Sequence, residues 1–360
     1  MSTPVIDDAV PDLDTKVRFL RSLPVPGTAT EVEAIETHMS WVFLAGEHVL
    51  KLKKPVRFPF LDFSTLAARA FYCREEMRLN QRLAPGVYLG LRALQWRNGT
   101  LALLAPEELP SSGRTVDWLV LMRRLPEQRM LHRLISDSKC EPADIDALVA
   151  VLGAFYRNAM TLPVPADEYG ARFHREQAAN REVLLRPQFA LDHADVTLDR
   201  LDRALQRHAE LLYERPALGR IVEGHGDLRP EHVCLLEPPV VIDCLEFNAL
   251  LRQLDPFDEV AFLGLECHLA GAPPWVAARL VAGLSSALGD HPSPALIHLY
   301  TAQRALLRAR LAMAHLLDLT PRTPQRWAPL AQRCVNRALA ALDDLEGYCP
   351  LVDKAVLATA

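Results

Sequence analysis

Asp227 and Asp243 stand in the two halves of one short stretch, His225-Gly226-Asp227-Leu228-Arg229-Pro230-Glu231-His232-Val233-Cys234-Leu235-Leu236 and Val240-Val241-Ile242-Asp243-Cys244-Leu245-Glu246-Phe247-Asn248. The first half reads as a tight polar loop running into an apolar strand. Glu237-Pro238-Pro239 makes a turn, and Val240-Val241-Ile242 forms a second strand that delivers Asp243. Two carboxylates held on either side of a small hairpin suit phosphoryl transfer. One orients an attacking hydroxyl and accepts its proton; the other holds the magnesium that bridges the phosphates of a nucleotide. His-Gly-Asp alone is an ordinary surface turn. A second aspartate arriving at hairpin distance, behind a buried strand, favours chemistry.

Such carboxylates need cations and a scaffold upstream. In His48-Val49-Leu50-Lys51-Leu52-Lys53-Lys54 the strand alternation puts Leu50 and Leu52 on one face and Val49, Lys51 and Lys53 on the other. A lysine pair on a strand is commonly a solvated edge, and Lys51 and Lys53 share their face. From Phe63 to Leu83 the spacing predicts a helix with Ser64 as N-cap, and Tyr72, Glu76, Leu79 and Leu83 fall on one stripe. Glu76 is then a carboxylate on an apolar face, where it needs a partner; a partly exposed glutamate in a charged helix is the alternative.

Around these, Leu13–Leu23 reads as a short helix ended by Pro24 and Pro26. Strands are expected at Glu31–Thr37, Trp41–Ala45 and His48–Lys53, with Gly46-Glu47 as a tight turn. Tyr88–Gln95 and Thr100–Leu104 form a hairpin about Asn98-Gly99, and Val116–Met122 is a last strand before Arg123-Arg124-Leu125-Pro126 breaks the pattern. Beyond it the chain is mainly helical, at about 130–137, 142–160, 168–185, 194–214, 256–270, 274–289, 294–318 and 324–346. On the long helix Arg304, Arg308 and Arg310 read as solvated or paired arginines. The fold class is α+β.

At 360 residues, with 50% hydrophobic and 24% charged residues, the chain suits two lobes and an ordered globular state. A net charge of −5 gives no basic field for nucleic acid or anionic membrane. The seven cysteines, at 73, 140, 234, 244, 267, 334 and 349, are scattered and form no Cys-x-x-Cys pair, which points to reduced thiols in a cytoplasm. Cys234 and Cys244 read as core fillers. The start, Met1 to Asp12, is acidic without a signal pattern, and no run of 18 apolar residues suggests a membrane span.

The hairpin spacing resembles the catalytic and metal-binding loops of the protein-kinase-like superfamily, and His225-Gly226-Asp227 resembles its aminoglycoside phosphotransferase branch, where the second position is Gly. The resemblance implies a two-lobed fold with a small antiparallel-sheet N-lobe (1–122) and a larger, mainly helical C-lobe (123–360). It implies ATP as cofactor with magnesium, or manganese in its place, and a small-molecule hydroxyl acceptor. Asp227 would be the catalytic residue and Asp243 a metal ligand. Val-Leu-Lys resembles the strand whose lysine holds the α and β phosphates, which favours Lys51 and makes Glu76 its partner. Ser40, in His38-Met39-Ser40, sits where the phosphate-covering turn lies and would offer a hydroxyl and an N–H; an ordinary hairpin turn remains the alternative. Met122 and Arg123 mark where backbone groups would meet adenine. His225 would hold the loop, and Asp258 would anchor the catalytic-loop backbone.

One position departs from the pattern. Five residues after the catalytic aspartate the family carries an asparagine as second metal ligand; here it is His232. Imidazole is a poor magnesium ligand, so either His232 binds weakly or an oxygen from Glu246 replaces it. Glu36-Thr37-His38-Met39-Ser40-Trp41-Val42-Phe43-Leu44 and Phe60-Leu61-Asp62-Phe63-Ser64-Thr65-Leu66 resemble an uncharacterised bacterial group of this family, some members of which carry a fused P-loop kinase domain. No Gly-x-x-x-x-Gly-Lys-Ser/Thr run occurs here, so that domain is not expected. Glu246, Asp255, Asp258, Glu259 and Glu266 would suit a cationic acceptor such as an amino sugar. A protein kinase is disfavoured by the missing Gly-rich loop and activation segment; a nucleotide-binding scaffold draws its support from His232.

Overall fold

The structure is a computed structural model that describes residues 10–24, 32–318, 321 and 323–347. The expected acidic start before Val10, Pro26, the strand residue Glu31 and Cys349 lie outside them. In chain order the elements are α1 (Leu13–Arg21), β1 (Glu33–Glu36), β2 (Ser40–Ala45), β3 (His48–Lys53), β4 (Arg57–Phe58), β5 (Leu61–Asp62), α2 (Leu66–Asn80), β6 (Tyr88–Arg97), β7 (Thr100–Leu104) and β8 (Arg114–Arg123). There follow α3 (Leu131–Ser136), α4 (Pro142–Asn158), α5 (Ala166–Leu184), α6 (Ala194–Arg207), α7 (Ala209–Ala217), β9 (Val222–Glu223), β10 (Val233–Cys234), β11 (Val240–Val241), β12 (Gln253–Leu254), α8 (Pro256–Leu269), α9 (Trp275–Leu288), α10 (Pro294–Ala314) and α11 (Pro324–Gly347). The chain forms two compact units. One takes the residues up to Arg133 together with His225–Asp227 and Glu231–Arg252; the other takes Leu134–Gly224, Leu228–Pro230 and the chain from Gln253.

The first unit is built on a six-stranded antiparallel sheet in the order β1-β2-β3-β8-β6-β7. Both expected tight turns are present, with Gly46 at φ 63° and the Asn98-Gly99 pair at φ 49° and 81°. The alternation along β3 holds. Leu50 and Leu52 join Val17 and Leu20 of α1 in one cluster, whereas Val49 joins Cys73 of α2 and Met122 of β8 in another. The strand is therefore buried on both faces, and its lysines point at α2 instead of solvent. α2 is shorter than the periodicity suggests, and its N-cap is Thr65, whose Oγ1 accepts the Ala68 N–H at 3.1 Å. Ser64 is bound to Asp62 Oδ1 instead, through its N–H at 2.9 Å. An Asx turn has taken the residue expected to cap.

The face-to-face attachment of helices to this sheet runs through Asp117 on β8. Its carboxylate, 1% exposed, accepts from Lys16 of α1 at 2.8 Å and from Arg69 of α2 at 2.7 and 3.1 Å. One buried anion thus offsets two buried cations.

In the second unit thirteen of the fourteen residues of α8 are buried, so its acidic residues must be paired. Asp258 meets Arg304 of α10 at 2.6 and 2.7 Å and Arg172 of α5 at 3.2 Å. Those guanidiniums take the place of the loop backbone that Asp258 was expected to anchor. Asp255 caps α8 through the Phe257 N–H at 2.9 Å and is gripped by Arg215, which also holds Asp290 at 2.7 Å. Glu266 pairs with Arg308 at 2.8 Å, Glu259 accepts from Tyr156 at 2.7 Å, and Arg310 pairs with Glu176. The expected helix over 194–214 is two helices, broken at His208 (φ −111°, ψ 21°), and the second carries Arg215. No helix of the described residues is long and apolar enough to cross a membrane.

Removing the Asp117 carboxylate strands two buried cations. Asp117→Ala is expected to destabilise the chain by about 3–5 kcal/mol, read as a lower midpoint in equilibrium denaturation.

Candidate active site

The apolar face of α2 brings Glu76, with no solvent exposure, against the lysine face of β3. Its carboxylate forks: Oε1 accepts from Lys51 Nζ at 2.8 Å and Oε2 from Lys53 Nζ at 2.7 Å. Lys51 continues to Asp243 Oδ1 at 2.6 Å, and Lys53 continues to Glu246. Two ammoniums and three carboxylates therefore form one chain, Asp243–Lys51–Glu76–Lys53–Glu246. Lys53 is fully buried, with its Nζ 4.9 Å from the centroid of the Phe63 ring. Burial opposes charge on every member. For Glu76 the two lysines outweigh it and hold the carboxyl below its ordinary range; for Lys51, Asp243 and Glu76 outweigh it and push the ammonium well above its own. Glu246 is pushed up, because burial and the charge of Glu76 outweigh Lys53.

The two strands of the hairpin are short, with Val233 opposite Val241 and Cys234 opposite Val240. Asp243 follows at φ 60°, a left-handed conformation that aspartate tolerates better than most residues. Its N–H donates to the Tyr88 hydroxyl at 3.1 Å, and the next N–H, of Cys244, donates to Asn80 Oδ1 at 2.9 Å. Asn80 lies one turn after Glu76 on α2, so one helix face fixes both the cation cluster and the loop. Asp243 itself keeps 44% of its side chain exposed. Burial raises its pKa, but Lys51 and then His232 drive it well below the carboxylate range.

His225 is fully buried and holds the loop, as expected. Its Nδ1 accepts the Asp227 N–H at 3.3 Å, so Nε2 carries the proton and donates to the Ile242 carbonyl at 2.9 Å. Burial, with His232 next, pushes its pKa down to about 4. Gly226 has φ 90°, and a Cβ there would lie 3.1 Å from both Arg252 Cγ and Leu245 Cβ. That is why the middle of His-Gly-Asp is glycine. His232 Nδ1 donates to the Asp227 carbonyl at 2.8 Å, which turns Nε2 toward Asp243 Oδ2 at 3.6 Å. The Asp227 side chain is 35% exposed.

The nucleotide-facing candidates are placed differently from one another. Ser40 is buried, and its N–H, expected to be available to a phosphate, donates to Thr37 Oγ1 at 2.9 Å. Met122 stands in a central strand, paired with Val49 on one side and Tyr88 on the other. The Arg123 and Arg124 N–H groups donate to Val87 and Glu47 carbonyls, both at 2.8 Å. Among the described residues the first main-chain N–H past this strand without a partner belongs to Leu125. Asn80 was findable in the sequence, four residues after Glu76 on the same stripe; Tyr88 carried no signal.

No family model matches the chain. Its fold is α+β and two-lobed, and solved structures that share this fold include small-molecule kinases. The choline kinase LicA of Streptococcus pneumoniae superposes with a TM-score of 0.53 at 12% identity, over 88% of this chain and 94% of that one. A choline/ethanolamine kinase family protein of Mesorhizobium loti gives 0.51 at 15% identity, over 91% and 98%. In sequence the chain is similar to an uncharacterised protein of Mycobacterium tuberculosis, 29% identical over 295 residues, which are 78% of this chain and 54% of that protein. The chain thus spans about half the length of the curated relatives it matches.

Because His225 gains its proton near pH 6.5 when unfolded and near pH 4 when folded, the unfolded state binds more protons between these values. The stability that His225 contributes is complete above about pH 6.5 and is lost as pH falls toward 4, by roughly 3 kcal/mol. The slope of unfolding free energy against pH over this interval is expected to be shallower in His225→Gln than in the parent.

Proposed function

We propose that the chain is a cytoplasmic ATP-dependent phosphotransferase that moves a γ-phosphate to a hydroxyl of a small molecule, an amino sugar, aminoglycoside or polyol. The observation that carries this reading is Lys51, which touches both Glu76 and Asp243. A cation so placed has one partner that stays, on the helix, and one that a nucleotide complex can replace. Asp227, part-exposed at its side chain and fixed at its backbone by His225 and His232, orients the acceptor hydroxyl and takes its proton. Transfer through a loose transition state demands positioning more than a strong base. Adenine meets the main chain at Leu125, past the Met122–Arg123 segment whose donors are spent on the sheet.

Asp243 and His232 Nε2 form a donor pair that fits a divalent ion completed by phosphate oxygens, and the imidazole suits manganese better than magnesium. When bound, the ion neutralises charge on the phosphates. Glu246 faces Lys53 and is the weaker metal candidate. The acidic residues named for a cationic acceptor are each buried with partners of their own, so they supply no argument for a charged substrate. The acceptor class rests on the small-molecule kinases that share the fold. His232 at the usual asparagine position favours a second reading, a nucleotide-binding scaffold without turnover.

Nucleotide consumption with magnesium or manganese, across amino sugars, aminoglycosides, simple sugars, choline and ethanolamine, separates the two. Acceptor-dependent turnover is expected, reduced about a hundred- to ten-thousand-fold in Asp227→Ala while nucleotide affinity stays within about threefold. Nucleotide binding without turnover on any acceptor or metal would leave the scaffold reading.

A further inference from the structure

The two lysines of β3 share one glutamate but differ in everything else they touch. Lys51 is partly exposed and its second partner, Asp243, is open to solvent; Lys53 is sealed from solvent, covered by Phe63, and its second partner, Glu246, is buried. Under the proposed function Asp243 would hold the metal of a nucleotide complex, and Lys51 would exchange Asp243 for the phosphates. With Lys51 alone, that step would leave Glu76 as a buried carboxylate whose countercharge has been called away, and α2 would lose its tie to β3, keeping only its packing and the Arg69–Asp117 pair. Glu246 lies three residues after Asp243 on the same loop, so its grip on Lys53 also ties down the far end of the metal-bearing segment, whose near end is held by Tyr88 and Asn80.

We infer that Lys53 is a positioning residue: through Glu76 and Glu246 it holds α2 and the 243–246 loop in place, and so frees Lys51 to leave Asp243 for the nucleotide. The labour is divided between an anchor lysine and a mobile one. Glu246 belongs to the anchor and not to the metal. The inference rests on the proposed function for the role of Lys51, while the anchoring itself is a property of the unliganded chain.

The test uses the full chain as Lys51→Met, Lys53→Met, Glu246→Gln and the paired Lys53→Met/Glu246→Leu, which strands no charge on the loop if Lys53→Met alone does not fold. Two readouts are taken: amide hydrogen exchange of α2 without ligand, and binding of a non-hydrolysable ATP analogue with and without Mn2+. Lys51→Met is expected to weaken analogue binding at least tenfold and to leave α2 exchange within about twofold. Lys53→Met and the paired variant are expected to speed α2 exchange at least tenfold. Glu246→Gln, which keeps an acceptor toward Lys53, is expected to change the Mn2+ dependence less than threefold. Equal loosening of α2 in Lys51→Met and Lys53→Met would overturn the division, and a tenfold loss of Mn2+ dependence in Glu246→Gln would return Glu246 to the metal. A parent chain that binds no analogue would refute the nucleotide reading, while the α2 exchange would still decide whether Lys53 is the anchor.

Discussion

A carboxylate with no exposure to water, held between two ammoniums, is the constraint around which the sheet-bearing unit is arranged. Glu76 can be buried because Lys51 and Lys53 stand two residues apart on one strand and reach its two oxygens separately. That requires β3 to be covered on both faces, leucines toward α1 and lysines toward α2. It also requires α2 to present its apolar stripe with the glutamate in register. If either condition failed, an unpaired charge would remain in the interior, at a cost that a domain of ordinary stability cannot absorb.

The same helix face sets the 225–248 hairpin. Asn80 receives the Cys244 N–H and Tyr88 receives that of Asp243, so a short loop with a left-handed aspartate at its head is fixed by groups from outside it. The loop's own stiffness comes from His225, whose two ring nitrogens each satisfy a backbone group, and from Gly226, where no side chain fits. Part of each of the Asp227 and Asp243 side chains, 35% and 44%, stays exposed. Rigid surroundings and exposed carboxylates are what positioning chemistry needs.

In the helical unit the physics is the same and the outcome is structural. Asp258 and Glu266 of α8 and its cap Asp255 are paired by arginines of α5, α7 and α10, Glu259 accepts from Tyr156 of α4, and buried Asp258 and Asp255 are cross-links between helices. An acidic run that reads as a site for a cation is, in the folded chain, already partnered within the protein.

Local periodicity was enough to place Lys51 and Lys53 on one strand face, Glu76 on an apolar helix stripe, and Asp227 and Asp243 on a hairpin, because strand and helix spacings follow from backbone geometry alone. The need of Glu76 for a partner was equally readable. Which lysine does what was not: the two are equivalent by alternation, and they part company through Phe63 over Lys53 and through Asp243 and Glu246, which arrive from nearly two hundred residues away. The same holds for Ser40, whose N–H is spent on Thr37, for the capping oxygen taken from Thr65 in place of Ser64, and for the arginines that claim the α8 acids. Sequence spacing determines which groups share a face. Which neighbour claims each group is a competition among partners that tertiary folding brings together, and it is settled by burial, since a buried charge takes the countercharge that the packing presents to it.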